Sequence, residues 1–337
     1  MPIGFIKGLS FDHQRTNWNG DGPRPLKWAA WYPAADDASA QPSSTPSWFQ
    51  KEPVARDAAL KSATAPFPLV LLSHGTGGST EGLNWLAYRL VRRGFVALAV
   101  NHHGNTGAEP YRAEGFLSLW ERARDLTALL DDDGWRQRLA GTFDAHAHVA
   151  GFSAGAYAAM LLMGARVAYS QFEPDNPVKS TIRGPREFPN LADKIPLLLE
   201  KSSAFRDSWE RRSDSYADER VQSALVLAPG RSVLGFSLPS LQAIEKPIRI
   251  VVGDDDRIAP ATECSGWLHD RLRRSELEVL TGGAGHYVFL PEPTSIGRRG
   301  APDIFADAPT VNRRSVHDHV ALSAADLFSA VRRFPSD

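Results

Sequence analysis

Gly151-Phe152-Ser153-Ala154-Gly155 sets one serine between two glycines, each two residues away. That pattern suits a sharp turn from a strand into a helix, which lifts the hydroxyl clear of the backbone and needs glycines where side chains would collide. A serine held this way can attack a carbonyl carbon if a base takes its proton and a third group orients the base. On their own the five residues also describe an ordinary tight turn. The flanks favour chemistry: the apolar run His148–Phe152 leads in, and the small-residue stretch Ala154–Ala165 leads out as a helix closely packed on a sheet.

Of ten histidines, His286 alone combines three features: it follows the apolar run Leu277–Leu280, it lies in Gly282-Gly283-Ala284-Gly285-His286, and it comes after both serine and acid in the chain. The acid belongs to Gly253-Asp254-Asp255-Asp256-Arg257-Ile258-Ala259-Pro260, directly after Ile248–Val252, where Asp254, Asp255 and Asp256 compete. Three adjacent aspartates also suggest a metal loop, but the alternation and closing glutamate of a calcium site are missing. A fourth element is Ser73-His74-Gly75-Thr76-Gly77-Gly78-Ser79, after the run Phe67–Ser73. Backbone N–H groups from such a loop and from the residue after the serine are suited to a developing oxyanion, which nominates Thr76 and Ala154. The same glycines also suit a turn into the next helix.

Other chemical residues read more plainly. His102, in His102-His103-Gly104-Asn105-Thr106, follows a strand on the same side and is a candidate pocket residue or part of a turn. His146 and His148 share a strand face at the end of the strand remote from Ser153 and read as structural. His317 and His319 lie two apart on a helix, about 200° around it, and cannot bind one ion together. The one cysteine, Cys264, excludes an intrachain disulfide framework and reads as packed rather than reactive. No metal and no organic cofactor is expected.

The elements that must position these residues follow from the pattern of the rest. The chain has 337 residues, 42% hydrophobic and 23% charged, which suits a folded core rather than disorder. A net charge of −1 gives no electrostatic reason to expect nucleic acid or an anionic membrane as partner. No apolar run approaches the ~20 residues of a membrane span. The opening Met1–Gln14 lacks the features of a signal peptide, so a cytoplasmic protein is expected, with a trimmed secreted form left open.

Strands are expected at Gly4–Phe11, Leu26–Tyr32, Phe67–Ser73, Phe95–Val100, His148–Phe152, Val221–Leu227, Ile248–Val252 and Leu277–Leu280. Helical faces are formed by Leu83, Leu86, Ala87, Leu90 and Val91, and by Leu119, Ala123, Leu126 and Leu130. A final helix starts near Ser315, with Asp318 resembling a capping box. Alternating strands and helices predict a single α/β domain over 1–337, its central sheet mostly parallel and flanked by helices. Residues 36–47 and 291–314 read as loops. The charged, proline-containing stretch 166–220 is too long for an ordinary connection and reads as a helical lid or cap. Its apolar residues, among them Ile195, Leu197, Leu198, Leu199, Phe205 and Trp209, either cover the pocket, with Trp209 touching substrate, or attach the insertion to the body.

The segments SHGTGG, GFSAG, ADERVQSALVLAP, GDDDRIAP and GHYVFL, with the early Trp31-Tyr32-Pro33, resemble the dienelactone hydrolase-related, platelet-activating-factor-acetylhydrolase-like branch of the α/β hydrolases. The family's G-x-x-D-x-[IV]-x-P form places the acid on Asp256. Dienelactone hydrolase itself uses a cysteine where Ser153 stands, so the resemblance implies a serine hydrolase acting on a small-molecule ester. An amidase or peptidase on the same triad and a non-catalytic binding protein on the same scaffold are the alternatives.

Overall fold

The computed structural model describes residues 1–173, 175–178 and 183–333. Nine strands form one sheet: β1 (Ile3–Thr16), β2 (Pro23–Pro33), β3 (Ala55–Arg56), β4 (Phe67–Ser73), β5 (Val96–Asn101), β6 (Phe143–Phe152), β7 (Val221–Leu227), β8 (Ile248–Gly253) and β9 (Ser275–Leu280). Their spatial order is β3-β1-β2-β5-β4-β6-β7-β8-β9. β2 is antiparallel to β1 and β5, and the six strands from β5 to β9 across the sheet run parallel. Every residue of β4 is buried, as a strand covered on both faces demands.

Side-chain alternation divides the core between the two faces. Leu69 and Leu71 of β4 and Ile248 and Ile250 of β8 join one apolar cluster, with the helices Glu121–Asp131 and Ala154–Leu162. Val70, Leu72 and Val251 join the opposite one, with the helices Asn84–Val91 and Arg313–Arg333. From β4 the chain moves to β5 on one side and then returns to β6 on the other. The crevice beyond the carboxyl ends of β4 and β6 is therefore the switch point of the sheet, where open α/β folds bind ligands.

Several boundaries differ from the sequence pattern. β1 extends to Thr16 because it pairs with β2 from Ile3 to Asp12 and, beyond a register shift, again at Thr16, a partner the local pattern of β1 does not contain. β6 starts at Phe143, which pairs with Phe67 of β4 ahead of a register shift, although His146 is exposed. The helix after Ser153 stops at Leu162, and Gly164 takes φ +113° just beyond it. The stretch 291–314 holds the short helices Ser295–Gly300 and Pro302–Phe305; Thr294 Oγ1 caps the first by accepting from Gly297 N–H (3.2 Å). The last helix starts at Arg313, because Asn312 Oδ1 accepts from Ser315 N–H (3.0 Å), while Asp318 pairs instead with Arg89 (2.7 Å).

Three histidines are buried in the neutral form. Burial pulls His74 well below 6.5, His102 down to about 4 and His317 down to about 3, with neighbouring arginine charge adding to the effect in each. Their folded pKa values lie below the unfolded one, so their contribution to stability is complete above pH 6.5 and is lost as the pH falls toward 4 and 3. Near pH 5 the unfolded chain binds up to three more protons through them, a slope of about 4 kcal/mol per pH unit. Urea unfolding between about pH 5 and 7 is expected to show stability falling steeply on the acid side, and H317Q is expected to remove about a third of the slope. A flat profile would contradict the assignment.

Candidate active site

Ser153 sits where β6 hands over to the Ala154–Leu162 helix, at φ 53° and ψ −113°. A side chain in that region costs about 1–3 kcal/mol and persists only where surrounding contacts impose it. Here Ser153 N–H donates to Leu227 O at the end of β7 (2.9 Å). A Cβ on Gly155 would lie 1.9 Å from Ser73 O, and one on Gly151 would lie 2.1 Å from Gly155 O. Gly155 thus lets the turn press against β4, and Gly151 lets the first turn of the helix fold back over the end of β6.

Ser153 Oγ is 3.2 Å from His286 Nε2, and His286 Nδ1 is 2.7 Å from Asp256 Oδ2. A carboxylate only accepts, so Nδ1–H donates to Asp256 and the Nε2 lone pair faces the serine hydroxyl. Asp256 Oδ1 accepts from the N–H groups of Ile258 (3.0 Å) and Ala259 (2.7 Å), which holds the carboxylate in place. The competing aspartates do other things. Asp254 accepts from Gly282, Gly283 and Ala284 N–H, each at 2.9 Å, tying the β8 loop to the glycine-rich β9 loop. Asp255 is exposed and pairs with Arg257 (3.0 Å).

The His286–Phe289 turn is fixed from beneath. Trp85 Nε1–H donates to Phe289 O (2.7 Å), His317 Nε2–H donates to Val288 O (2.9 Å), and the two rings stack at 4.1 Å. Sequence reading missed both supports, and their only local signal was an apolar face on each helix. On the other flank the Phe152 ring lies 5.0 Å from the His286 ring.

The loop after β4 lies against the same turn: a Cβ on Gly75 would come within 2.9 Å of the Phe152 ring. Among the described residues, neither Thr76 N–H nor Ala154 N–H has a hydrogen-bond acceptor. Gly230, after β7, is also close, since a Cβ there would lie 3.7 Å from Ser153 Oγ. Glu187 reaches this edge from the 166–220 segment, with Oε1 3.3 Å from the Cβ position of Gly77.

His102 and Trp209 are placed away from open surface. His102 is 1% exposed; its Nδ1–H donates to Asp125 (3.0 Å) and its Nε2 accepts from Ser73 Oγ (2.8 Å), so both ring nitrogens are satisfied internally. Trp209 packs between Trp120 (5.6 Å) and the fully buried Phe205 (5.5 Å). Ser208 locks that contact, accepting from Trp120 Nε1–H through its carbonyl oxygen (3.0 Å) and donating through Oγ to Glu121 (2.7 Å). His148 pairs with Ser223 Oγ (2.8 Å), and burial raises the Cys264 thiol to about 12. Among the described residues, no group of three or more His, Cys, Asp or Glu could hold a metal ion, and no helix is long and apolar enough to cross a membrane.

The fold is shared with solved structures. A ferulic acid esterase from Streptomyces cinnamoneus superposes with a TM-score of 0.63 at 19% identity, over 99% of this chain and 92% of that one. A puromycin hydrolase gives 0.51 at 15% identity, over 98% of this chain and 39% of that one. Est1E from Butyrivibrio proteoclasticus, with ferulic acid bound, gives 0.45 at 13% identity, over 93% and 98%. No curated protein sequence matches the chain. Residues 69–296, more than half the chain and the part that carries Thr76, Ser153, Asp256 and His286, match the model of one sequence family, and the chain belongs to the alpha/beta hydrolase family.

Proposed function

We propose that the protein is a serine esterase that cleaves small or short-chain carboxylic esters through an acyl-enzyme, within the dienelactone hydrolase-related, platelet-activating-factor-acetylhydrolase-like branch. The observation that carries this reading is the hydrogen-bonded line from Ser153 through His286 to Asp256, on a turn whose backbone is held at positive φ. Ser153 Oγ attacks the ester carbonyl carbon while His286 Nε2 takes its proton, and the carbonyl electron pair moves onto oxygen. Thr76 and Ala154 N–H receive that oxyanion, each donor worth about 10²–10³ in rate. The tetrahedral species collapses as His286 returns the proton to the leaving alcohol. Water then gives a proton to the same nitrogen as it attacks the acyl carbon, and His286 passes that proton to Ser153 Oγ as the acyl–oxygen bond breaks and the acid leaves.

Matched p-nitrophenyl esters and p-nitroanilides test the bond that is broken. The esters are expected to turn over at least about 100-fold faster, because amide cleavage demands protonation of a poorer leaving group. Comparable rates on both would make the protein an amidase or peptidase. A ferulate ester belongs in the panel, since one structure of the same fold carries that substrate in its name.

For the 166–220 segment, two roles divide along the chain. Glu187 borders the Gly77 loop, which supports a cover limiting substrate size, whereas the burial of Phe205 and Trp209 supports attachment to the body. F205A is accordingly expected to cost about 3–5 kcal/mol in stability with an unchanged ester chain-length profile. A shifted profile at unchanged Tm would make Phe205 part of the cover instead.

A further inference from the structure

Arg122 is buried at 1% exposure in the Glu121–Asp131 helix, and the acceptors its guanidinium meets are carbonyl oxygens. Nη1–H donates to His74 O (2.6 Å), and Nη2–H reaches Gly75 O (3.4 Å) and Asn105 O (3.5 Å). Nε has no partner among the described residues. A buried arginine spent on main-chain carbonyls costs desolvation that a neutral residue would not. Its place explains the expense. Gly75 C=O and Thr76 N–H belong to one planar peptide unit and point in opposite directions, so fixing the carbonyl fixes the N–H.

Two further donors act on the same carbonyl, Gly78 N–H from within the loop (3.1 Å) and the ring of His74. His74 Nε2 accepts from His102 N–H (3.3 Å), a group that can only donate, so the His74 proton is on Nδ1 and is given to Gly75 O (2.8 Å). Hydrogen bonds into a carbonyl also polarise the N–H across the peptide. Burial lowers Arg122 to about 9, with Asp125 opposing the shift, so the guanidinium carries its charge at neutral pH.

Resting on the esterase reading above, we infer that Arg122 is a positioning residue for the oxyanion site: from behind the loop it aims and polarises the Gly75–Thr76 peptide so that Thr76 N–H meets the developing charge. It touches no substrate. Its effect belongs to the transition state, not to ground-state binding.

The test compares the wild type with R122K and R122M on p-nitrophenyl butyrate and on a trifluoromethyl ketone. The ketone forms a hemiketal: Ser153 Oγ bonds to its carbon, the hydroxyl proton passes to His286, and the carbonyl pair becomes an oxyanion. R122M is expected to lose about 100-fold in kcat and a similar factor in ketone affinity, with KM within about twofold. R122K keeps the charge and one donor, so it is expected to recover about tenfold of both. Should R122M not fold, R122K still decides, with about a tenfold loss in kcat and ketone affinity relative to the wild type. Folded variants with unchanged kcat and ketone affinity would overturn the role of Arg122 while leaving the esterase reading intact, as would losses confined to KM or to Tm. A wild type that neither cleaves the ester nor binds the ketone would overturn the esterase reading, and the role of Arg122 with it.

Discussion

Replacing Ser153 by alanine is expected to lower kcat by about 10⁴–10⁶ while leaving stability within about 0.5 kcal/mol. The substitution removes the attacking atom and little else. Among the described residues Ser153 Oγ makes one hydrogen bond, to His286, and the backbone contact from Ser153 N–H to Leu227 O does not depend on the side chain. Alanine tolerates φ 53° no better and no worse than serine, so the strain of the turn is retained. Ester kinetics on folded S153A, checked by circular dichroism and urea unfolding, measure both halves. Residual activity within tenfold of the wild type would mean that another residue is the nucleophile.

Asp256→Asn is the second large effect, a loss of about 10⁴ in kcat, the figure known for the same exchange in a serine protease. Asparagine can still accept from Ile258 and Ala259 through its oxygen, so the loop keeps its shape. Its amide nitrogen then faces His286 Nδ1 and donates. The ring proton moves to Nε2, and the lone pair that should receive the serine proton is gone. D255N, at an exposed residue paired with Arg257, is expected to change kcat by less than about twofold. D254N is expected to act on stability, by about 1–3 kcal/mol, because it deprives one of three loop N–H groups of its acceptor. Equal catalytic losses at all three positions would contradict the division of labour.

What could be read from the chain alone followed from which signals are local. The motif around Ser153, the runs forming β4, β7 and β8, and the helical face at Leu83–Val91 are written in neighbouring residues, and they recur in the structure with small changes of boundary. The choice among Asp254, Asp255 and Asp256 rested on a family pattern. In the structure only Asp256 lies within hydrogen-bonding distance of His286, and Asp254 bonds to the following loop. Long-range partnerships left no comparable trace. Nothing near Trp85 or His317 announces that they hold the turn of a histidine, since the residues they bond arrive from elsewhere in the chain. His102, by its place after a strand a candidate for the pocket or for a turn, is enclosed by Asp125 and Ser73 from two other elements. The ends of β1 and β6 were invisible for the same reason: pairing, not composition, extends them.

The central claim is that Ser153 becomes covalently acylated during ester cleavage. Incubation with a fluorophosphonate, followed by intact-mass measurement and peptide mapping, tests it most directly. The account predicts one label per chain, located on Ser153, with ester hydrolysis lost in proportion to labelling and no label on S153A. A label on any other residue, or full ester turnover by quantitatively labelled protein, would contradict it.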